Sequence, residues 1–307
     1  MSRILLLGAT GLIGSSVYHW LEQTHQITRL GRSDQCELKG DLSKPESMDS
    51  LALGHFDVLV HCAGVTDEDF RSRAADGFIQ SSIGLNTLVQ KAIAANIKRF
   101  IYISTSHVYG RQVGTIDERS ASDPLSDYAI AHFVAEQTLK RNASSFEGVF
   151  VLRPNAVFGE PVFIDKFDRW SLIPYSFPLE AVYTQRIVLR SSGEQNRNFI
   201  STYDIARYVE SLLDRREGRS FEVINALGKD TMSVYEFGLK CCEIYRDVTG
   251  NECTVERPEF TPQSEEKEFC YKSNFEFSAA KDDVEIVTTR LINTIAREYK
   301  NGKKYSA

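Results

Sequence analysis

Ile4-Leu5-Leu6-Leu7-Gly8-Ala9-Thr10-Gly11-Leu12-Ile13-Gly14 is the segment from which the architecture follows. Four apolar residues in a row read as a buried strand, and the residues after the last glycine as a helix. Gly8 allows a tight turn, Gly11 lets backbone N–H groups approach a pyrophosphate, and Gly14 lets the helix pack closely on the strand. Glycines alone are weak evidence. Their position between the first strand and the first helix gives them meaning, and makes this a dinucleotide-binding turn. Gly8, Thr10, Gly11, Leu12, Ile13 and Gly14 are its expected cofactor-binding residues.

Outward from that turn, short apolar runs alternate with helical patterns. Ile27–Leu30, Val58–His61, Phe100–Ile103 and Val149–Leu152 read as strands, and Leu12–Thr24, Ser81–Ala95 and Tyr128–Arg141 as helices. Continuous apolar strands separated by helices predict a parallel sheet covered on both faces, hence a Rossmann-type, doubly wound α/β fold. After Pro154 the pattern changes. Pro154, Pro161, Pro174 and Pro178 fall close together among aromatics, which favours loops over helices. We expect a dinucleotide-binding domain over 1–159 and a smaller C-terminal substrate lobe over 160–307, with 197–213 packing back on the Rossmann core. The closing stretch Glu285–Tyr299 reads as a helix with Ile286, Leu291, Ile292 and Ile295 packed inward.

The composition is that of a globular protein: 307 residues, 42% hydrophobic, 25% charged, net charge -6. A mildly acidic surface gives no electrostatic reason to expect nucleic acid or an anionic membrane as partner. The six cysteines form no CxxC pair, and no histidine cluster has zinc spacing, so free thiols and no metal are expected. No apolar run approaches the ~20 residues that span a bilayer, and the N-terminal run is too short for a signal peptide. The expectation is a cytoplasmic protein.

Cofactor choice is read at the end of the second strand. An NAD-binding protein places an acidic residue there on the ribose hydroxyls, whereas this chain has Gly31-Arg32-Ser33. Without the carboxylate a 2′-phosphate is not repelled, and Arg32 can pair with it. NADP is therefore favoured, with NAD left open, and a solvated surface charge is the plainer account of Arg32. Asp41, beside Leu42, can face the adenine amino group or cap the helix that starts near Pro45.

These motifs together resemble the extended short-chain dehydrogenase/reductase family, which includes nucleotide-sugar epimerases, dehydratases and reductases. GATGLIG (Gly8–Gly14) is similar to its cofactor turn, LVHCAG (Leu59–Gly64) to its third-strand motif, and KRFIYIST (Lys98–Thr105) to its fourth strand. STSHVYG (Ser104–Gly110), LRPNAVFG (Leu152–Gly159) and RNFISTYDIA (Arg197–Ala206) follow in the family's order. The resemblance implies that Thr105 hydrogen-bonds the reacting oxygen and that Tyr128 is the general acid/base. It implies that Cys62, Ala63 and Gly64 pass beneath the nicotinamide ribose, that Ser106 and Asn155 contact substrate, and that Arg197 holds a diphosphate. An ion pair is the structural alternative for Arg197, and a satisfied core histidine the plainer reading of His61. A homodimer through helices flanking the sheet is an option the resemblance leaves open.

The chain also departs from the family. The resemblance puts a lysine four residues after the tyrosine, where its charge lowers the phenol's pKa. Here the segment is Tyr128-Ala-Ile-Ala-His132, so His132 takes the catalytic and ribose-binding place with less charge to offer. Either a partner protonates His132, or Tyr128 donates from a high pKa in the reductive direction only. Ser81 stands where many relatives carry asparagine, and Ala156 at a frequent substrate-contacting asparagine, with Asn155 one residue earlier. Sugar 4,6-dehydratases carry an Asp-Glu pair after the threonine; this chain has Ser106-His107. The sequence thus predicts an NAD(P)-dependent epimerase or reductase acting on a nucleotide-diphosphate sugar. A cofactor-binding sensor or scaffold is the alternative, because of His132.

Overall fold

The computed structural model describes residues 1–215, 220–258, 269–277 and 280–306. At its centre lie seven strands: β1 (Arg3–Leu7), β2 (Gln26–Gly31), β3 (Leu38–Lys39), β4 (Val58–His61), β5 (Arg99–Ile103), β6 (Gly148–Pro154) and β7 (Phe221–Ala226). They lie in the order β7-β6-β5-β4-β1-β2-β3, and every pairing is parallel. Alternate residues of a strand point to opposite faces. Ile4, Leu6, Val58, Val60 and Ile101 accordingly enter one core, and Leu5, Leu7, Leu59 and Phe100 the other. Both faces are apolar, which is why these strands read as unbroken hydrophobic runs.

Eight α-helices accompany the strands among the described residues: α1 (Leu12–Leu21), α2 (Asp67–Ile79), α3 (Leu85–Ala94), α4 (Asp127–Asn142), α5 (Ile173–Thr184), α6 (Thr202–Leu213), α7 (Val234–Thr249) and α8 (Val284–Lys300). Helices α3 and α4 cover one face of the sheet, α1 and α6 the other. The α1–α6 contact is tied by Ser16 to Thr202 at 2.9 Å and by Trp20 to Glu210 at 2.8 Å. A second core joins α5, α7 and α8 around Tyr175, Phe177, Phe199, Phe237 and Ile292. Beside it, Ala156–Phe158, Asn196–Ser201 and Asp230–Ser233 form a small three-stranded sheet. Strand order reverses between β1 and β4, so a crevice opens beyond their C-terminal ends, where Gly8 and Cys62 lie.

Several local expectations need correction. Strand β7 completes the main sheet although it comes from the half read as lobe. Helix α5 forms despite its prolines: Pro174 sits in the first turn, where a missing N–H costs little, and Pro178 is buried within the helix. Ile286 is 42% exposed, and Val284 and Val287 occupy the inner face of α8 instead. Asp41 does not cap the short 3₁₀ helix Pro45–Met48, whose N-cap residue is Lys44; its carboxylate accepts from the Ser43 N–H and hydroxyl at 3.0 and 2.7 Å. Helix α2 went unread, and between it and α3 residues Gln80–Gly84 form a π-helical turn.

Candidate active site

The glycine turn is held by backbone crowding. Gly8 has φ +85°, and a Cβ there would lie 2.5 Å from the Ala63 nitrogen. A Cβ on Gly14 would lie 2.1 Å from the Gly8 carbonyl oxygen. A side chain on Gly8 would run into the segment after β4, and one on Gly14 would push α1 off the turn. Gly11 differs: a Cβ there would meet only the Gly8 oxygen, at 3.5 Å. It is exposed and is the N-cap residue of α1, with no side chain satisfying that helix end. Open amides at a helix N-terminus, with nothing projecting over them, fit the diphosphate of a dinucleotide.

A cleft of about 370 Å³ runs from this turn across the ends of β1, β2 and β4. Gly8, Thr10, Arg32, Asp41, Leu42, Ala63 and Gly64 line it, as do Ser43, Asp69, Arg73, Asp76 and Gln80, which sequence reasoning missed. The missed residues come mostly from α2 and the π-helical turn. One signal for that helix was present, the Thr66-x-x-Asp69 capping box, whose two reciprocal hydrogen bonds form at 2.9 and 3.2 Å. Arg32 is exposed and forms no ion pair among the described residues. Leu12 packs towards the lobe core, while Ile13 and Cys62 pack into the sheet core. These three can serve a ligand only through their backbone. Burial pushes the Cys62 thiol up to about 12, so it is inert at neutral pH.

Next to Val65, which lines the cleft and packs in one cluster with Tyr128, Ser126 caps α4 by accepting from the Ala129 N–H at 3.3 Å, which places Tyr128 in the first helical turn. Thr105, a buried residue whose hydroxyl accepts from the His107 N–H at 3.2 Å, acts to lower the pKa of the Tyr128 phenol. Burial raises the pKa of Tyr128, against the lowering effects of Thr105 and the Arg169 charge. His132 lies one turn on, its ring edge-on to Tyr128 at 4.7 Å. It is 3% exposed, and its Nδ1 lies 2.7 Å from the Tyr102 hydroxyl. Burial, with the neighbouring His61 and His107, lowers its pKa to about 3. No carboxylate bonds either ring nitrogen among the described residues, and burial favours the neutral ring. His61, also held near 3 by burial, is completely enclosed, and its Nδ1 has no hydrogen-bond partner among the described residues.

One turn further along α4, Glu136 accepts from the Ser104 hydroxyl at 2.5 Å and from Arg153 at 3.0 Å (Nε) and 2.5 Å (Nη2). The bond fixes α4 to β6. Towards the lobe, Asn155 donates to the Ser106 hydroxyl at 2.7 Å and accepts from the Asn198 N–H at 3.0 Å. Gln112 completes this group by donating to the Ser106 carbonyl at 3.1 Å, and nothing in its sequence context announced it. Ser106 and Asn155 are thus brought together, with Ser106 fully buried. Arg197 is partly buried and forms no ion pair among the described residues; its guanidinium donates to the Asn196 carbonyl at 2.8 Å. Burial lowers its pKa, and its charge reaches His107 across the cleft. Ser81 turns its hydroxyl back to the Gly77 carbonyl at 3.0 Å. Within 250–280, residues 259–268 and 278–279 lie outside the described residues.

Comparison with known proteins agrees with this architecture. The mouse (Mus musculus) dTDP-D-glucose 4,6-dehydratase is 24% identical over 277 residues, covering 83% of this chain and 76% of that protein. Among solved structures, RMD from Pseudomonas aeruginosa complexed with NADPH superposes with a TM-score of 0.77 at 20% identity, covering 97% of this chain and 100% of that one. The UDP-glucuronic acid 4-epimerase from Bacillus cereus in complex with NAD gives 0.73 at 19% identity, covering 99% and 100%. The model of one family matches residues 4–226, from the first strand through the last strand of the main sheet. The chain belongs to the NAD dependent epimerase/dehydratase family.

Proposed function

We propose that the protein is an NAD(P)-dependent oxidoreductase or epimerase of a nucleotide-diphosphate sugar, with Tyr128 as the proton donor and Thr105 as its hydrogen-bonding partner. The observation that carries this reading is Tyr128 packed against Val65 of the cleft lining, together with a glycine turn in which Gly8 and Gly14 leave no room for a Cβ. Gly8, Thr10, Gly11 and Gly14 would hold the cofactor's diphosphate, and Arg32 the 2′-phosphate that makes NADP the favoured form. Once bound, that cofactor supplies or accepts the hydride. Thr105 orients the reacting oxygen, and Tyr128 delivers a proton to it. Arg197 has no carboxylate partner among the described residues, which suits a diphosphate. Residues 1–159 then carry the cofactor, and the lobe within 160–307 carries the sugar.

Direction follows from charge. With His132 neutral, Tyr128 keeps its proton at physiological pH, and donation needs the protonated phenol. Reduction of a keto-sugar is therefore the efficient direction. Dehydration is disfavoured, although curated relatives bear that name. The two residues after Thr105 include no carboxylate, and Ser106 is spent on Asn155 and Gln112. The neutral His132 also favours a second reading, a cofactor-binding sensor. Incubating the protein with NADPH and a panel of keto-sugar nucleotides, while following nicotinamide absorbance, separates the two. Turnover supports the enzyme; NADPH binding without turnover on any of them supports the sensor.

A further inference from the structure

After α8 the chain turns at Gly302, where φ is +83°, and runs back over the lobe. Lys303 Nζ lies 2.9 Å from Asp165 Oδ1 and 2.9 Å from Glu298 Oε2. The Tyr305 N–H donates to the Tyr183 hydroxyl at 2.7 Å. Its ring stacks on Trp170, with centres 4.6 Å apart and planes inclined by 17°. Trp170 belongs to the loop 163–172 ahead of α5 and meets Phe167 of the same loop edge-on at 4.9 Å. On its far side this loop reaches the Rossmann core. The Glu68 carboxylate on α2 lies 3.5 Å from Arg169 Nε and accepts from the Ser171 hydroxyl at 3.3 Å. Helix α2 also carries Asp69, Arg73 and Asp76 of the cleft lining. One loop is thus held by residues 303–305 on one side and by a cleft-lining helix on the other.

What holds this cover down is poorly matched to what lies under it. Arg169 Nε, Trp170 Nε1 and the hydroxyls of Tyr175 and Tyr305 are all buried with no hydrogen-bond partner among the described residues. Ring contacts join three of these residues: Trp170 touches Tyr305, and Tyr175 lies edge-on to Trp170 at 6.4 Å. Buried donors without acceptors oppose the closed arrangement. The Lys303 and Asp165 side chains are 48% and 72% exposed, and an ion pair so exposed adds little. The Tyr305–Trp170 stack is left as the main fastening.

We propose that residues 303–305 are a strap that closes the loop 163–172 over the lobe, and that a nucleotide sugar enters when the strap lifts. The inference rests on the reading of the lobe as the sugar-binding part. With the strap down, the buried N–H and O–H groups have nothing to bond; once it lifts, oxygen atoms of water or of the ligand satisfy them. Ligand affinity is then lowered by the fraction of molecules in the closed state.

The test combines hydrogen–deuterium exchange of the 163–172 amides with calorimetric titration of UDP-glucose, dTDP-glucose and GDP-mannose, on wild type, Tyr305→Ala and Tyr305→Phe. Tyr305→Ala removes the stack, so exchange in 163–172 should speed up about tenfold and nucleotide-sugar binding should tighten about three- to tenfold. Tyr305→Phe keeps the stack and loses only an unpartnered hydroxyl, so it should exchange no faster and bind no tighter than wild type. A residue that merely supports the lobe would move affinity the other way. Unchanged exchange in Tyr305→Ala, or binding that is unchanged or weakened, overturns the inference. If exchange speeds up as expected but none of the three nucleotide sugars binds any of the proteins, the strap's hold on the loop stands and the nucleotide-sugar reading falls.

Discussion

The two ends of the cleft are built by different means. At the glycine turn, specificity lies in the backbone: Gly8 and Gly14 leave no room for a Cβ, and Gly11 leaves helix amides uncovered. At the Tyr128 end it lies in charges and hydrogen bonds from distant segments. Thr105 follows β5, and His132 on α4 is tied to Tyr102 on β5. A backbone constraint tolerates no side chain at its position, whereas a side-chain contact can be supplied from any segment that reaches the same point.

That contrast can be broken experimentally. The largest effect is expected at the charge-built end, where Tyr128→Phe should lower turnover by about 10²–10⁴-fold, the span of general acid–base catalysis. NADPH affinity measured by calorimetry should barely change. At the backbone-built end, Gly14→Ala should destabilise the fold by about 3 kcal/mol, because its Cβ would meet the Gly8 carbonyl oxygen. Chemical denaturation would register this as a lower midpoint, together with lost cofactor binding. A Gly14→Ala protein of unchanged stability that still binds NADPH would remove the distinction. The smallest effect belongs to Arg32→Ala. Arg32 is exposed and lines the cleft, so its loss should weaken NADPH by roughly tenfold and leave NADH untouched. Equal affinity for both cofactors before and after the change would return Arg32 to a solvated surface charge.

What the sequence disclosed follows the same division. Strands β1, β4 and β5 are apolar on both faces, so their residues could not be read otherwise. Helix α2 escaped because it is polar almost all round: only Phe70 and Gly77 are buried along its 13 residues. Strand β7 escaped because it is an edge strand, half-buried over Phe221–Val223, and resumes the main sheet after a long excursion through the lobe. Helix α5 defied its prolines through their positions, which composition does not convey. At the site, Thr105, Tyr128 and His132 could be located by spacing from motifs. Gln112 and Tyr102 could not, because only the tertiary fold brings them to Ser106 and His132.

The neutrality of His132 underlies the proposed direction of reaction and the alternative sensor reading. It also has a consequence for stability. The unfolded chain binds a proton at His132 near pH 6.5, whereas the folded protein does so only at about 3. Its contribution to stability is therefore complete above pH ~6.5 and is lost as the pH falls towards the folded value, at up to about 1.4 kcal/mol per pH unit. The direct measurement is an NMR titration of isotope-labelled histidine in the intact protein. The chain has six histidines, and a His132→Gln sample identifies the signal that belongs to position 132. We expect its ring-nitrogen shifts to remain those of a neutral imidazole from about pH 8 down to about pH 5. A protonation midpoint near 6.5 would contradict the account, since Tyr128 would then have a cation one helical turn away.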